Sequence, residues 1–461
     1  MKILRRVFWS LFFTITGTNK LYNRFVYQPI KRKIKIDSEK EFQKIFRYAI
    51  SFNDFYKKKY YKIVNKKISL ENIQVLDKKE LKSASLDILS NKYKKNIEQF
   101  KFKLNSSILR NLIKLFIKSD FIITMSTGGS TGIPLICYKN KQSIFTDTLL
   151  FIRGWTMMGY KPGDKVLVFY NSYYDYDFSN FNKGTLLHGI KLFFFNVLSK
   201  TIIKNLVNEI NNFKPDFIIT FPSYLNEAAN IIREENLILK YTPKSIEVSG
   251  EVYSDHQRKN CEETFKTEIY DSYGSIEFGM IAHECKYHNG MHIYEDIAKV
   301  ESIKIAENKK VLIVTRYNSF ETPIIRYKIG DLGNVYYDKC ECGIEGLKLN
   351  NVEGRTDDYI LLPNKKRLYP SYFRQILNHC NEFYNNTIIE SNIINYVIKG
   401  YSYKLIINIL IKDVKYRNVI KDVLSKYFNK TIPRSIILKI KFPDRIKKKR
   451  KFSLIEKIIV N

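Results

Sequence analysis

The segment Met125–Asn140, MSTGGSTGIPLICYKN, concentrates glycine and hydroxyl residues at a single bend. Backbone N–H groups and side-chain hydroxyls can surround phosphate oxygens, and glycine lets the backbone approach them closely. A Walker loop is excluded, because Ile133 and Pro134 follow the last glycine where a lysine and a hydroxyl residue would be needed. The glycine spacing also excludes a dinucleotide fingerprint. A phosphate-binding loop and a plain flexible hairpin therefore both stay open from this segment alone.

A second group of reactive side chains offers metal-ligand chemistry. It consists of thiols and imidazoles at five positions: Cys285, His288, His292, Cys340 and Cys342. Four such ligands suit tetrahedral Zn²⁺, although the Cys-x-Cys spacing is tighter than the common Cys-x2-Cys. The alternative is a set of unconnected thiols and imidazoles in a reducing compartment.

Four further polar segments follow one another along the chain. They are the Gly250–Glu251 turn, YDSYGSIE from Tyr270 to Glu277, IRYKIGDLG from Ile325 to Gly333, and VEGRTDDYI from Val352 to Ile360. Each has an ordinary explanation by itself. Tyr273 could be a core residue, Glu277 a helix cap and Asp331 a turn residue.

In this order and spacing, the five motifs resemble the adenylate-forming ligase superfamily, and in particular its phenylacetate–CoA ligase and CapK-type branch. The resemblance runs from about Thr124 to the C-terminus, roughly three quarters of the chain. Residues 1–118 match that branch only in general character.

The resemblance implies one nucleotide site built from these motifs. The loop residues Thr127, Gly128, Gly129, Ser130, Thr131 and Gly132 would hold the β- and γ-phosphates of ATP. The other implied roles are Gly250 and Glu251 against the adenine, Tyr273 with Gly274 on the adenine face, Ser275 at the phosphate and acyl-carboxylate end, Glu277 as the catalytic Mg²⁺ ligand, Asp331 on both ribose hydroxyls, Arg355 at the ribose or α-phosphate, and Asp357 at the hinge of the C-terminal domain. The loop departs from the family pattern at Gly128, where a hydroxyl residue is common, and at Leu135, where many members carry Lys.

A lysine near the C-terminus completes the implied catalytic set. In this superfamily it lies between the attacking carboxylate and the α-phosphate, where it stabilises developing negative charge. The family pattern is Gly-Lys-aromatic-Arg, and the tail KKRKFSLIEK matches it best at Lys451, with Arg450 and Ser453 as departures. A solvated basic tail is the alternative.

The same resemblance narrows the metal ligands. Phenylacetate–CoA ligase-like proteins carry a Cys before Gly-x-His and a later Cys-x-Cys-Gly, which implies Cys285, His292, Cys340 and Cys342, with His288 as a substitute. Such a zinc ion would be structural, because it would tie the segment after Glu277 to the loop after Asp331.

The elements that must position these residues indicate an α/β protein. Residues 1–118 are predicted to form a helical segment, residues 119–356 the ATP-binding core, and residues 357–461 a small, mobile α+β domain. In the core, strands at 165–170, 190–196 and 216–221 alternate with helices at 201–213 and 223–237, which favours mostly parallel sheets with flanking helices. In the small domain, a hairpin around Gly400, one helix and a third strand are expected.

Bulk composition limits the partners. The chain has 461 residues and a net charge of +32, from 78 basic and 46 acidic residues. Such an excess is typical of proteins with acidic partners, but the lysines are dispersed and no nucleic-acid motif accompanies them, so nucleic acid is not expected. A homodimer is left open.

The N-terminus starts with basic residues and an apolar run from Val7 to Thr16, but no signal-peptide cleavage site follows. A cytoplasmic protein is expected. Its first 35 residues either pack on the body as a helix or lie on an anionic membrane face.

The implied activity is ATP-dependent activation of a small carboxylate through an acyl-adenylate, followed by transfer to CoA or to an amino-sugar or carrier acceptor in cell-surface polysaccharide biosynthesis. The alternatives are an aryl- or acyl-CoA ligase of catabolism, and a catalytically retired basic scaffold that binds a membrane or nucleic acid.

Overall fold

The structure is a computed structural model. It describes residues 1–15, 19–27, 37–63, 68–94, 122–126, 136–171, 182, 185–195, 198–252, 255–307, 309–355, 360–361, 367–368, 393–400, 404–411, 413–431, 437–443 and 455–457. The chain divides into two compact units. The first holds the described residues up to Asn351 apart from Gly330–Leu332, and the second holds Gly330–Leu332 and the described residues from Val352 onward. The domain limits expected from the sequence, after residues 118 and 356, stay predictions.

The described part of the N-terminal segment is helical. Its α-helices are α1 (Lys2–Ile15), α2 (Asn19–Tyr22), α3 (Ser38–Phe52), α4 (Asp54–Tyr60) and α5 (Lys78–Ala84). The sequence SEKE from Ser38 to Glu41 predicts a Ser-x-x-Glu start for helix α3, but the structure places the cap one residue earlier. The carboxylate of Asp37, one residue earlier, accepts the backbone N–H of Lys40 at 3.0 Å, so Ser38 is the first helical residue.

Helix α1 packs on the body of the first unit. Arg5 Nε donates a hydrogen bond to the carbonyl of Gly163 at 2.7 Å, and Trp9 Nε1 donates to the carbonyl of His188 at 3.0 Å. The Phe13 side chain is buried in the apolar core. The packed helix expected from the sequence is found, and contact of its outer face with a membrane stays a prediction. Among the described residues, no helix combines the length and the apolar character needed to span a bilayer.

A hairpin flanks the glycine-rich loop. Strands β1 (Ile122–Ser126) and β2 (Ile136–Asn140) pair antiparallel, with Ser126 opposite Ile136. The apolar runs FIIT and PLICY predict a strand on each side of the loop, and both strands are found. Helix α6 (Lys141–Met157) follows directly, capped by the side chain of Asn140.

Five parallel strands form one half of the large sheet. In chain order they are β3 (Val166–Asn171), β4 (Ile190–Phe195), β5 (Phe217–Thr220), β6 (Ser245–Ser249) and β7 (Glu268–Ser275), and in space β4-β3-β5-β6-β7. The intervening helices are α7 (Thr185–His188), α8 (Lys200–Phe213), α9 (Pro222–Glu234) and α10 (Asp255–Phe265). These elements confirm the predicted strand–helix alternation.

The other half of the sheet follows without helices. Its strands are β8 (Gly279–Glu284), β9 (Met291–Ile293), β10 (Ala298–Ala306), β11 (Lys309–Arg316), β12 (Tyr327–Lys339) and β13 (Glu345–Arg355). The described sheet has the order β10-β11-β12-β13-β9-β8-β7-β6-β5-β3-β4, and the pairs β7/β8, β8/β9, β9/β13 and β10/β11 are antiparallel. The α/β class is confirmed, in a mixed sheet whose antiparallel half was not expected.

The second unit is α+β. Its elements are β14 (Ile360–Leu361), β15 (Arg367–Leu368), β16 (Ile393–Gly400), β17 (Lys404–Ile411), α11 (Arg417–Thr431), β18 (Ile437–Lys441) and β19 (Ile455–Lys457). Strands β16 and β17 form the expected antiparallel hairpin, and the described four-stranded sheet has the order β18-β17-β16-β19. Strand β19 in the tail was not predicted.

Candidate active site

The carboxyl ends of β6 and β7 bring two of the predicted motifs together. The strands are parallel and in register, with Ser249 opposite Ser272. Gly250 and Glu251 directly follow the end of β6, and Tyr273 is the third residue from the end of β7. In open α/β sheets, ligands bind in the crevice outside the carboxyl ends of parallel strands. Both motifs therefore lie at the edge of the sheet where such a ligand would bind.

The turn after β6 requires its glycine. Gly250 has φ of 77°, in the left-handed region, and a Cβ there would lie 3.0 Å from Cε1 of Phe221. The neighbouring carboxylate, Glu251 Oε2, accepts the backbone N–H of Ser223 at 2.9 Å, in the first turn of helix α9. The residue at the N-terminal cap, Phe221, supplies no side-chain hydrogen bond of its own. Glu251, in the turn after β6, thus accepts a helix N–H that the cap residue leaves without a side-chain partner.

The turn between β7 and β8 carries Ser275 and Glu277. A Cβ on Gly274 would lie 2.5 Å from the carbonyl oxygen of Gly279, so the close approach of the two strands needs glycine at this position. Ser275 Oγ accepts the backbone N–H of Phe278 at 3.2 Å, which bridges the turn. Glu277 is half-buried, and Tyr273 is 8% exposed.

A cluster of buried charged side chains contacts this turn. None of these side chains was expected from the sequence. Arg316 Nη1 donates to the carbonyl of Phe278 at 2.6 Å and contacts Asp147 Oδ1 at 2.7 Å. The other carboxylate oxygen of Asp147 accepts Lys139 Nζ at 2.5 Å. Burial alone would raise the pKa of Asp147, but the Arg316 and Lys139 charges outweigh it and hold that pKa below its usual value. Asp147 is therefore ionised at neutral pH.

The other residues expected to bind the nucleotide lie in several places. Asp331 lies in β12, partly exposed, within the segment Gly330–Leu332 that groups with the second unit. The backbone of Arg355 ends β13. Four of the expected groups lie outside the described residues: the loop residues Thr127–Gly132, the expected hinge residue Asp357, the expected catalytic lysine Lys451 and the side chain of Arg355.

A compact group of four possible metal ligands lies beyond strand β8. The ligand atoms of Cys285, His292, Cys340 and Cys342 all lie within 4.8 Å of one another. Cys285 Sγ is 3.7 Å from Cys340 Sγ, and Cys342 Sγ is 3.3 Å from His292 Nε2. Two sulfur ligands at tetrahedral angles around Zn²⁺, each about 2.3 Å from the metal, would be about 3.8 Å apart. The donor set and its spacing therefore fit Zn²⁺.

The surroundings keep the histidine available as a ligand. Burial, with the nearby Lys348 charge, lowers the pKa of His292 to about 4, so its imidazole is neutral at pH 7. His288 lies outside the four-residue group. Its Nδ1 is 3.0 Å from Glu284 Oε2 and 3.1 Å from Arg258 Nη1, so this ring nitrogen belongs to a separate ion-pair cluster.

Comparison with known proteins identifies the family of this chain. The AMP-binding enzyme family matches residues 58–313, more than half of the chain. The chain is 24% identical over 450 residues to protein CapK of Staphylococcus aureus, covering 90% of this chain and 89% of that protein. It is 26% identical over 274 residues to phenylacetate-coenzyme A ligase of Thermus thermophilus, covering 55% of this chain and 58% of that enzyme.

Among solved structures, the fold is similar to that of 2-hydroxyisobutyryl-CoA ligase in the postadenylation state in complex with R3-HIB-AMP. The TM-score is 0.65 at 18% identity, over 91% of this chain and 89% of that chain. The chain therefore belongs to the AMP-binding enzyme family within the adenylate-forming superfamily, and it is an AMP-forming ligase.

Proposed function

We propose that this ligase activates a small carboxylic acid with ATP and transfers the acyl group to the thiol of CoA or to an amino-sugar or carrier acceptor. The observation that best supports the proposal is the pair of motifs at the carboxyl ends of β6 and β7, Gly250–Glu251 beside Tyr273–Ser275. Their backbone turns and one flat aromatic ring suit a purine and its phosphates. The similarity to phenylacetate-coenzyme A ligase supports CoA as the acceptor.

The reaction would proceed in two steps. A substrate carboxylate oxygen attacks the α-phosphorus of ATP, and the bond to the leaving pyrophosphate breaks. With CoA as the acceptor, its sulfur then attacks the acyl carbon of the adenylate and the thiol proton is released. The bond from that carbon to the phosphate oxygen breaks, which gives the thioester and AMP. The glycine-rich loop would hold the departing phosphates, Asp331 the ribose hydroxyls, and Lys451 the negative charge that develops in the first step.

Glu277 is the proposed magnesium ligand. A half-buried carboxylate at the phosphate end of β7 suits Mg²⁺, which prefers one or two carboxylates together with phosphate oxygens. When bound there, the ion would neutralise the phosphate charge during attack. Glu277 itself would fix the ion relative to the β7–β8 turn.

The test is carboxylate-dependent exchange of labelled pyrophosphate into ATP, with a panel of carboxylic acids. Asp331→Ala should abolish the exchange, whereas Asn334→Ala, on the same strand, should leave it intact. If no acid of the panel supports exchange, the proposed activity is refuted. If Asp331→Ala kept the wild-type rate, only the ribose assignment would be wrong.

We further propose a role in cell-surface polysaccharide biosynthesis, because the similarity to CapK extends over 90% of the chain. A catabolic aryl- or acyl-CoA ligase is the second candidate, favoured by the shorter match to phenylacetate-coenzyme A ligase. Incubating the enzyme with its best acid and either CoA, an amino sugar or a carrier protein, followed by mass spectrometry, separates them. An acylated amino sugar or carrier favours the first role. A thioester of CoA alone favours the second.

A structural Zn²⁺ is proposed at the Cys285, His292, Cys340 and Cys342 cluster. It would link the start of the β8–β9 connection to the turn after β12 and to β9 itself. Metal analysis of the purified protein should find close to one zinc ion per chain. Cys340→Ser should lose it, while replacing the buried Cys261, which lies elsewhere in the core, should not. Unchanged zinc in Cys340→Ser would remove Cys340 from the site.

Peripheral contact with an anionic membrane is proposed for helix α1. The face that does not pack on the body exposes Ile3, Leu4, Val7 and Leu11, and the net charge of +32 complements anionic lipid. The wild type should sediment with phosphatidylserine-containing vesicles and Val7→Asp should not. The contact would be refuted if the wild type and Val7→Asp bound these vesicles equally. It would also be refuted if the wild type bound neither anionic nor neutral vesicles.

A further inference from the structure

The Asp147 carboxylate lies between the two parts of the first unit that lead to the proposed phosphate site. One part is strand β2, which leaves the glycine-rich loop and ends in Lys139 and Asn140. The other is the β7–β8 turn, which carries Glu277. Asp147 itself is on helix α6, which follows β2 directly. Its side chain therefore contacts Lys139, on the strand just before its own helix.

The contacts on Asp147 are arranged in series. Its Oδ2 accepts the ammonium of Lys139 on β2 at 2.5 Å, and its Oδ1 lies 2.7 Å from Arg316 Nη1. The same Nη1 donates to the carbonyl of Phe278, the residue directly after Glu277, at 2.6 Å. The three charged side chains are 6%, 14% and 1% exposed for Lys139, Asp147 and Arg316. Water therefore screens these charges little, and each depends on its neighbour.

The turn is also shaped to fit the carboxylate. Gly279 has φ of 66°, and a Cβ on it would lie 2.4 Å from Asp147 Oδ1. Any side chain at this position would displace the carboxylate from the turn.

Strand β2 and the β7–β8 turn are also close to each other in space. Burial raises the pKa of the Cys137 thiol on β2 to about 12, and the carboxylate charge of Glu277 adds to that effect.

We propose that Asp147 is a positioning residue, which holds strand β2 and the β7–β8 turn at one fixed separation through Lys139 and Arg316. This inference rests on the proposed function, in which the loop before β2 holds the triphosphate and Glu277 holds its magnesium ion. Asp147 touches neither. It sets the distance over which the carboxylate of Glu277 must reach the phosphate-bound ion.

The test compares Asp147→Asn with Asp296→Asn. Asp296 accepts Arg153 Nη1 at 2.6 Å, with 15% and 11% exposure, so this pair is similarly buried and also involves helix α6, but does not reach the turn. In pyrophosphate exchange at saturating ATP, the half-saturating Mg²⁺ concentration should rise roughly tenfold in Asp147→Asn, the lower end of the range for partners that orient metal ligands. It should not change in Asp296→Asn. Thermal melting of both variants measures the general loss of stability.

A second measurement does not depend on activity. Amide hydrogen exchange of peptides covering residues 136–140 and 275–279, without substrate, should be faster in both regions in Asp147→Asn and in neither region in Asp296→Asn. Lys139→Met removes only the contact between β2 and Asp147, so it should speed exchange at 136–140 alone. If Asp147→Asn does not fold, this variant still tests whether Asp147 holds β2.

Two outcomes would overturn the inference. One is an equal change in Mg²⁺ dependence in the two aspartate variants, and the other is unaltered amide exchange at 275–279 in Asp147→Asn. If the wild type shows no exchange of pyrophosphate with any acid, the proposed function fails, and the amide measurement still decides whether Asp147 holds the two parts together.

Discussion

Replacing Glu251 by alanine should destabilise the first unit, because its carboxylate is the side-chain partner of a backbone N–H in the first turn of helix α9. The hydrogen bond from Ser223 is 2.9 Å long, and Phe221 at the cap position provides no substitute. Loss of a capping side chain costs about 1 kcal/mol. Loss of the negative charge at the positive end of the helix dipole adds about 0.3 to 1 kcal/mol. The expected total is roughly 1 to 2 kcal/mol, since Glu251 is only partly exposed.

Thermal melting followed by circular dichroism measures this loss. In domains of 150–250 residues, 1 kcal/mol shifts Tm by about 2 to 4 °C, so a decrease of a few degrees is expected. Glu251→Gln keeps an acceptor oxygen and should lose about half as much. Glu234→Ala is the matched control, because Glu234 lies at the opposite end of the same helix, where a negative charge is unfavourable. The reasoning is wrong if Glu251→Ala and Glu234→Ala lower Tm equally.

Three other outcomes are expected. Gly274→Ala should reduce pyrophosphate exchange about a hundredfold with helix content retained, because its Cβ would meet the carbonyl of Gly279 and open the turn by about an ångström; wild-type exchange would contradict this. Burial, with the Glu284 charge, raises the pKa of Asp271 to about 8. The stability linked to its protonated form is therefore complete below pH 4 and is lost as the pH rises to about 8, so Asp271→Asn should melt above the wild type at pH 9 and lose that advantage at pH 4. A zinc chelator should lower the Tm of the wild type but not of Cys340→Ser, and equal decreases would mean that the chelator acts elsewhere.

The parallel half of the sheet could be predicted from the sequence because its signals are local. Apolar runs such as DFIITF at 216–221 mark buried strands, and the helix at 201–213 has apolar residues at helical spacing. The antiparallel half could not be predicted in the same way. Its strand β9 has only three residues. On one side it pairs with β13, which lies far along the chain, with Lys348 opposite His292, and periodicity does not specify such a pairing.

The site residues also differ in whether local sequence could reveal them. Gly274 could be recognised within its motif because the motif is a local run of residues, but its close approach to Gly279 was not expected. The roles of Asp147 and Arg316 were not, because a buried ion pair depends on which elements pack together, and neither residue stands in an unusual sequence context. Glu251 was expected against the adenine, whereas its described hydrogen bond caps helix α9, a partner 28 residues away. The cap of helix α3 was missed by a single residue, because Asp37 and Ser38 are both good capping types.

Strand β19 has a practical consequence for anyone who shortens this chain. Ile455–Lys457 pair in parallel with Ile398–Gly400 and cover the outer side of β16. A protein truncated before Ile455 would leave a row of backbone N–H and C=O groups of β16 without partners, and such a bare margin recruits strands from other molecules. Self-association during expression is then expected, and a purification tag is better joined at the N-terminus.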